Sequence, residues 1–98
     1  MRESRLQQKC LDWLQENYPD ILAANIHGSG WSNKGFPDVL CCINGLFVAF
    51  ELKVGLNEMD AAQRLWRKRI LRAGGTHFAP YTLDEFIENV RSIMHDSV

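Results

Sequence analysis

Ninety-eight residues, 46% hydrophobic and 23% charged, describe one globular domain and leave no room for a two-domain enzyme. Eleven basic residues against twelve acidic ones give a net charge of −1, which excludes a histone-like polycation and an acidic disordered tail. No apolar run has the length of a membrane span, and Met1-Arg2-Glu3-Ser4 opens no signal-peptide core. Three cysteines, two of them adjacent as Cys41-Cys42, make a poor disulfide framework, so a reducing cytoplasmic setting is expected.

The first element is a helix over residues 3–17, where Leu6, Cys10, Trp13 and Leu14 recur at helical spacing before Tyr18-Pro19-Asp20 ends it. Residues 21–27 form a candidate strand, and Gly28-Ser29-Gly30 opens a loop reaching to about Lys34. Two apolar runs follow, 39–43 and 46–52, joined by Asn44-Gly45. Asn-Gly between such runs predicts a type I′ hairpin, because both central residues need positive φ. A second helix is expected with Asn57 as its cap and Asp60 at its third position, ending at Gly74-Gly75. Residues 76–81 read as a short strand, and Thr82-Leu83-Asp84-Glu85 as a capping box opening a last helix. The order α-β-β-β-α-β-α predicts an α/β fold, a small mixed sheet flanked by helices.

A two-residue hairpin loop fixes the register: Ile43 faces Leu46, Leu40 faces Ala49, and Asp38 faces Glu51. One face then carries Val39, Cys41, Ile43, Leu46, Val48, Phe50 and Leu52, wholly apolar. The other carries Asp38, Leu40, Cys42, Phe47, Ala49, Glu51 and Lys53. Two carboxylates about 4.5–5.5 Å apart at Cβ repel each other, so something must compensate. A divalent cation would, since hard cations take clustered carboxylate oxygens, with Lys53 as a fixed charge beside them. The bland reading is a solvated hairpin end whose acids Lys53 screens. Convergence of three charges on an otherwise apolar hairpin favours a site.

These residues resemble a known pattern. Gly35-Phe36-Pro37-Asp38, a hairpin, and then Glu51-Leu52-Lys53 is similar to the Pro-Asp…(Asp/Glu)-x-Lys nuclease signature, and more narrowly to the VRR-NUC family. Gln63 and Trp66 match that family's Gln followed by an aromatic, Gly74 or Gly75 its later glycine, and Glu3-Ser4-Arg5-Leu6-Gln7 its opening Glu motif. The resemblance spans nearly the whole chain. It implies a restriction-endonuclease-like fold and Mg²⁺- or Mn²⁺-dependent hydrolysis of phosphodiesters by a small, phage-type, structure-selective DNA nuclease. In that reading Asp38, Glu51, the Leu52 carbonyl and Glu3 hold the metal. The metal would polarise the scissile phosphate and acidify a water. Lys53 would orient that water or stabilise charge on phosphorus. Glu3 is otherwise an acid complementing the helix dipole. Gln63 is either a surface helix former or a hydrogen-bond partner of the lysine, the water or the DNA backbone.

From Gln63 to Arg72 there are five basic residues and no acid, and Arg64, Lys68 and Arg72, with Arg67 alongside, form a stripe opposite a packed face of Ala62, Leu65, Trp66, Ile70 and Ala73. A solvated helix mixes signs, so phosphate contact is the better reading, with Lys34 extending the surface. Trp31 and Phe36 either stack on an unpaired base or tuck onto the core or a dimer contact. His27, His77 and Cys41-Cys42 lack zinc-site spacing, and the two adjacent cysteines point to opposite faces. The expectation is a nuclease acting on branched or flapped DNA as a homodimer, with a non-cutting nucleic-acid-binding module as the alternative.

Overall fold

In the computed structural model, which describes residues 2–26 and 34–96, the chain runs α1 (Glu3–Asn17), β1 (Leu22–Asn25), β2 (Val39–Ile43), β3 (Leu46–Phe50), α2 (Ala61–Arg72), β4 (Thr76–Phe78) and α3 (Leu83–Asp96). The four strands form one sheet in the order β1-β2-β3-β4. The first three are antiparallel neighbours, while β4 lies parallel to β3. A parallel neighbour requires a crossover, and α2 supplies it. The mixed α/β order expected from the sequence is the one observed. No helix among the described residues is long and apolar enough to cross a membrane.

The hairpin follows from its turn. Asn44 and Gly45 both have positive φ, at 53° and 81°, and the register pairs Ile43 with Leu46 and Val39 with Phe50. Side-chain alternation then sorts the sheet into two faces. Val39, Cys41, Ile43, Val48, Phe50 and Leu52 are buried against Leu6, Cys10 and Leu14 of α1 and Phe86 and Val90 of α3. Leu46, expected on that face, is exposed because it opens the strand beside the turn, beyond the reach of the helices. Cys41 is buried and Cys42 exposed, as alternation requires, and all three cysteines are free. Burial pushes the Cys10 and Cys41 thiols up to about 12, so both are unreactive packing groups.

Several boundaries differ from the sequence reading. β1 is shorter than residues 21–27, and β4 ends at Phe78 rather than at 81. The α2 cap is Asp60, not Asn57. Asp60 accepts from the Gln63 backbone N–H at 2.8 Å while its own N–H donates to Gln63 Oε1 at 2.9 Å, a complete capping box. Asn57 instead lies in a turn, donating to the Val54 carbonyl and accepting from the Tyr81 hydroxyl. The other end of α2 closes as expected: with Gly74 at φ +95°, the N–H groups of Gly74 and Gly75 return to the carbonyls of Leu71 and Ile70. At α3, Thr82 Oγ1 accepts from Glu85 N–H, but the Glu85 carboxylate reaches Tyr81 N–H, one residue earlier than the expected box. Leu65, placed by periodicity on the packed face of α2, is exposed. That helix has a single sheet face to cover, and Ile70 is its one buried residue.

Beneath α2, Ala49 and His77 are direct neighbours across β3 and β4, and both are buried. Neither His77 ring nitrogen has a hydrogen-bond partner among the described residues. Burial, reinforced by the Arg67 charge, lowers its pKa to about 4, so the imidazole is neutral at physiological pH.

Candidate functional site

The site forms where β2 and β3 part. Up to Val39–Phe50 the two strands pair regularly, and Asp38 N–H still donates to the Phe50 carbonyl at 3.0 Å. Beyond that point the chain stays bonded on its β4 side, Glu51 N–H to the Phe78 carbonyl and Lys53 N–H to that of Pro80. The Leu52 N–H, left facing the gap, donates to Asp38 Oδ2 at 2.9 Å. The Asp38 side chain thus takes the place of a strand. Glu51 and Lys53 project from the same side of the sheet as Ala49, toward α2, and both are buried, at 2% and 5% exposure.

Three carboxylates meet in this notch. Among the described residues, Glu3, Asp38 and Glu51 each offer an oxygen within 4.8 Å of the others. Glu3 arrives from the first turn of α1, which Gln7 anchors to the strands by donating to Asn25 Oδ1 and, at 3.4 Å, to the Asp38 carbonyl. Burial is the largest cause raising the Glu51 pKa to about 9. Asp38 adds a hydrogen bond to the protonated form and repulsion of the anion, and Glu3 adds repulsion, while Lys53 opposes them. Burial and the Asp38 charge also raise Glu3. As an anion, Glu51 has a buried Oε1 with no hydrogen-bond partner among the described residues. An orphaned anionic oxygen among crowded carboxylates is the donor set of a hard divalent cation, so the residues present fit Mg²⁺ or Mn²⁺.

Gln63 ties the other components together. Its Oε1 accepts from Lys53 Nζ at 2.7 Å as well as from Asp60 N–H, and its Nε2 donates to Glu51 Oε2 at 3.2 Å. Of its two sequence readings, the surface helix former gives way to the hydrogen-bond partner. The sequence reading missed Asp60, whose cap sets the Gln63 side chain. The signal was Asp-x-x-Gln, a box with the same spacing as the Thr82 one.

The loop before Asp38 is clamped to α2 at three points. A Cβ on Gly35 would lie 2.6 Å from the Ala62 carbonyl carbon and 2.7 Å from Gln63 N, so no side chain fits. Phe36 meets Trp66 edge-on at 4.9 Å, and Trp66 Nε1 donates to the Lys34 carbonyl at 3.1 Å. Phe36 is therefore tucked within its own chain, while Trp31 and His27 lie outside the described residues. Lys34, Arg64, Arg67, Lys68 and Arg72 are all exposed. Arg69, the fifth cation of α2, lies over the Trp66 ring at 4.3 Å.

A solved structure described as "VRR_NUC domain" superimposes with a TM-score of 0.73 at 20% identity, over 91% of this chain and 94% of that one. The fold is that of a VRR-NUC domain. No protein-family model matches the sequence, and no curated protein does. The VRR-NUC likeness therefore lives in the shape, where the resemblance of the Pro-Asp and Glu-x-Lys segments had pointed.

The acid cluster has a consequence for stability without metal. The folded chain keeps the Glu51 proton up to about pH 9, whereas the unfolded chain releases it near 4.5. Between those values the folded state binds more protons, so stability falls as pH rises, by at most about 1.4 kcal/mol per pH unit. Urea denaturation in EDTA at pH 5 and pH 8 should give lower stability at pH 8, and Glu51→Gln should shrink the gap. An equal gap in both proteins would show that Glu51 is not the group responsible.

Proposed function

We propose that this chain is a VRR-NUC family nuclease, a Mg²⁺- or Mn²⁺-dependent DNA endonuclease cutting branched substrates such as flaps or four-way junctions. The observation that carries the reading is the convergence of Glu3, Asp38 and Glu51 beside a buried Lys53 that is held by Gln63. Asp38, Glu51, the Leu52 carbonyl and Glu3 would hold the ion. Bound there, it supplies positive charge to the scissile phosphate and lowers the pKa of a coordinated water. Leu52 N–H fixes the Asp38 carboxylate. Gln63 fixes the Lys53 ammonium, which is positioned to meet negative charge as it gathers on the phosphate oxygens. Glu51 gives up its proton when the ion binds, so metal affinity rises with pH.

Arg64, Arg67, Lys68 and Arg72, with Lys34 beyond them, are the phosphate-binding surface of this reading. Two copies working together belong to it as well. The described chain measures 35 × 32 × 23 Å, small against a junction whose resolution needs two cuts. A twofold pair supplies two sites.

Labelled flaps, splayed arms, four-way junctions and duplexes, each incubated with Mg²⁺, Mn²⁺ or EDTA, test the activity. Cutting should need metal and favour branched substrates, and Asp38→Asn should abolish it. Lys53→Ala should slow it by about 10²–10³-fold while leaving calorimetric metal binding in place. DNA binding without cutting by the wild-type protein would return the non-catalytic alternative. Reversing Arg64 and Lys68 together to Glu should weaken binding across all sequences and flatten the log–log salt slope by about two. Wild-type affinity and slope in that variant would make the stripe a solvated face. Light scattering at micromolar protein without DNA should give a mass near twice 11.3 kDa. A single-chain mass at every concentration would remove the dimer.

A further inference from the structure

Alongside the clamp between α2 and the loop runs an apolar groove of about 390 Å³, lined by Phe36, Phe47, Trp66, Arg69, Ile70 and Gly75. That volume lies within the range of small-ligand sites. Phe47, the second residue of β3 and opposite Cys42, leaves 47% of its surface open there, on the sheet face that α2 covers only in part. Gly75 keeps the groove open. A Cβ at that position would lie 2.9 Å from Ile70 Cγ2 and 3.0 Å from Phe47 Cδ1, pressing on two of its lining side chains. Arg69 brings a cation to the same surface, its guanidinium over the Trp66 ring.

We infer that this groove binds an unpaired nucleobase of single-stranded DNA, stacked on Phe47, with the attached phosphates on the cations of α2. Resting on the nuclease reading, the inference names which part of a branched substrate the site selects. Sequence-tolerant recognition of single strands combines aromatic platforms with a positive track, and both are present here. Charge decides between occupants. Pairing this face with itself about a twofold axis would bring Arg69, with Arg67 and Arg72 on its flanks, toward their own copies, with no acid on α2 to offset them. A polyanion meets the same residues favourably. Position agrees as well. The groove begins beside the notch, with Phe36 two residues before Asp38, and Phe47 lies four residues before Glu51, about 13 Å along the strand. A base held on Phe47 therefore belongs to a nucleotide a short way along the strand from the cut, not to the one being cut.

Binding of fluorescein-labelled oligo(dT) and of a blunt duplex, followed by anisotropy in EDTA, needs no cleavage. Phe47→Ala and Phe47→Leu should both lower oligo(dT) affinity about 5- to 150-fold relative to duplex, and Phe47→Tyr should restore it. Leucine keeps the apolar contact and loses the ring, so its failure to rescue marks stacking. An unchanged ratio in all three variants would overturn the inference. So would a fall in light-scattering mass with Phe47→Ala at an unchanged ratio, which would make the groove an interface between copies. The two readings fail separately: a wild-type protein that cuts no substrate sinks the nuclease, whatever Phe47 does to binding.

Discussion

The parting of β2 from β3 at Asp38 and Glu51 is the constraint on which the rest of the molecule depends. A strand that leaves its neighbour exposes main-chain N–H groups that must find other acceptors. Here Leu52, whose N–H faces the departed neighbour, finds the Asp38 carboxylate, while Glu51 and Lys53 stay bonded on the β4 side. One ionisable side chain therefore completes the backbone hydrogen bonding and, by the same bond, is fixed at the mouth of the notch. An Asp in this position serves fold and site at once. Asn could accept the same bond but would not contribute the charge.

The notch then makes its own electrostatic problem. Glu51 is buried beside Asp38 and Glu3, and the Lys53 ammonium alone does not lower its pKa to the ordinary carboxylate range. Without a cation the protein relieves the crowding by keeping a proton. The cost of that arrangement would make the cluster receptive to a hard divalent ion, since binding would replace a proton with a charge that satisfies several oxygens together. α2 acts in the same place. Its N-terminal box presents Gln63 to Lys53 and Glu51, and its first turn packs so closely on Gly35 that no side chain fits at that position.

Exposed aromatic surface and positive charge lie on one side of this arrangement and the covered core on the other. α1 and α3 bury one sheet face completely enough that eleven core residues form one cluster there. The opposite face is shared between α2 and solvent, leaving Phe47 and Leu22 in the open. This asymmetry separates the half of the protein that maintains the fold from the half left open to solvent.

Local chemistry made much of this legible in the sequence. Asn44-Gly45 forces its turn through positive φ, and the turn alone sets Leu40 opposite Ala49 and Val39 opposite Phe50. Leu6, Cys10 and Leu14 declare the buried stripe of α1 by spacing, and Cys41 and Cys42 divide between faces for the same reason. What escaped depends on partners distant in sequence. Asn57 and Asp60 are equivalent caps on paper, and the choice between them was made by Tyr81 holding one and Gln63 completing a box on the other. Leu65 and Leu46 keep the periodicity of buried residues, but burial needs a second surface, and none among the described residues reaches them. The sequence by itself determined the elements, the hairpin register and the identity of the acids, because these follow from bonds and spacings a few residues long. Only the tertiary structure brought Glu3 to Asp38, Gln63 to Lys53 and Trp66 to Phe36, because those meetings are fixed by how three helices pack on one sheet.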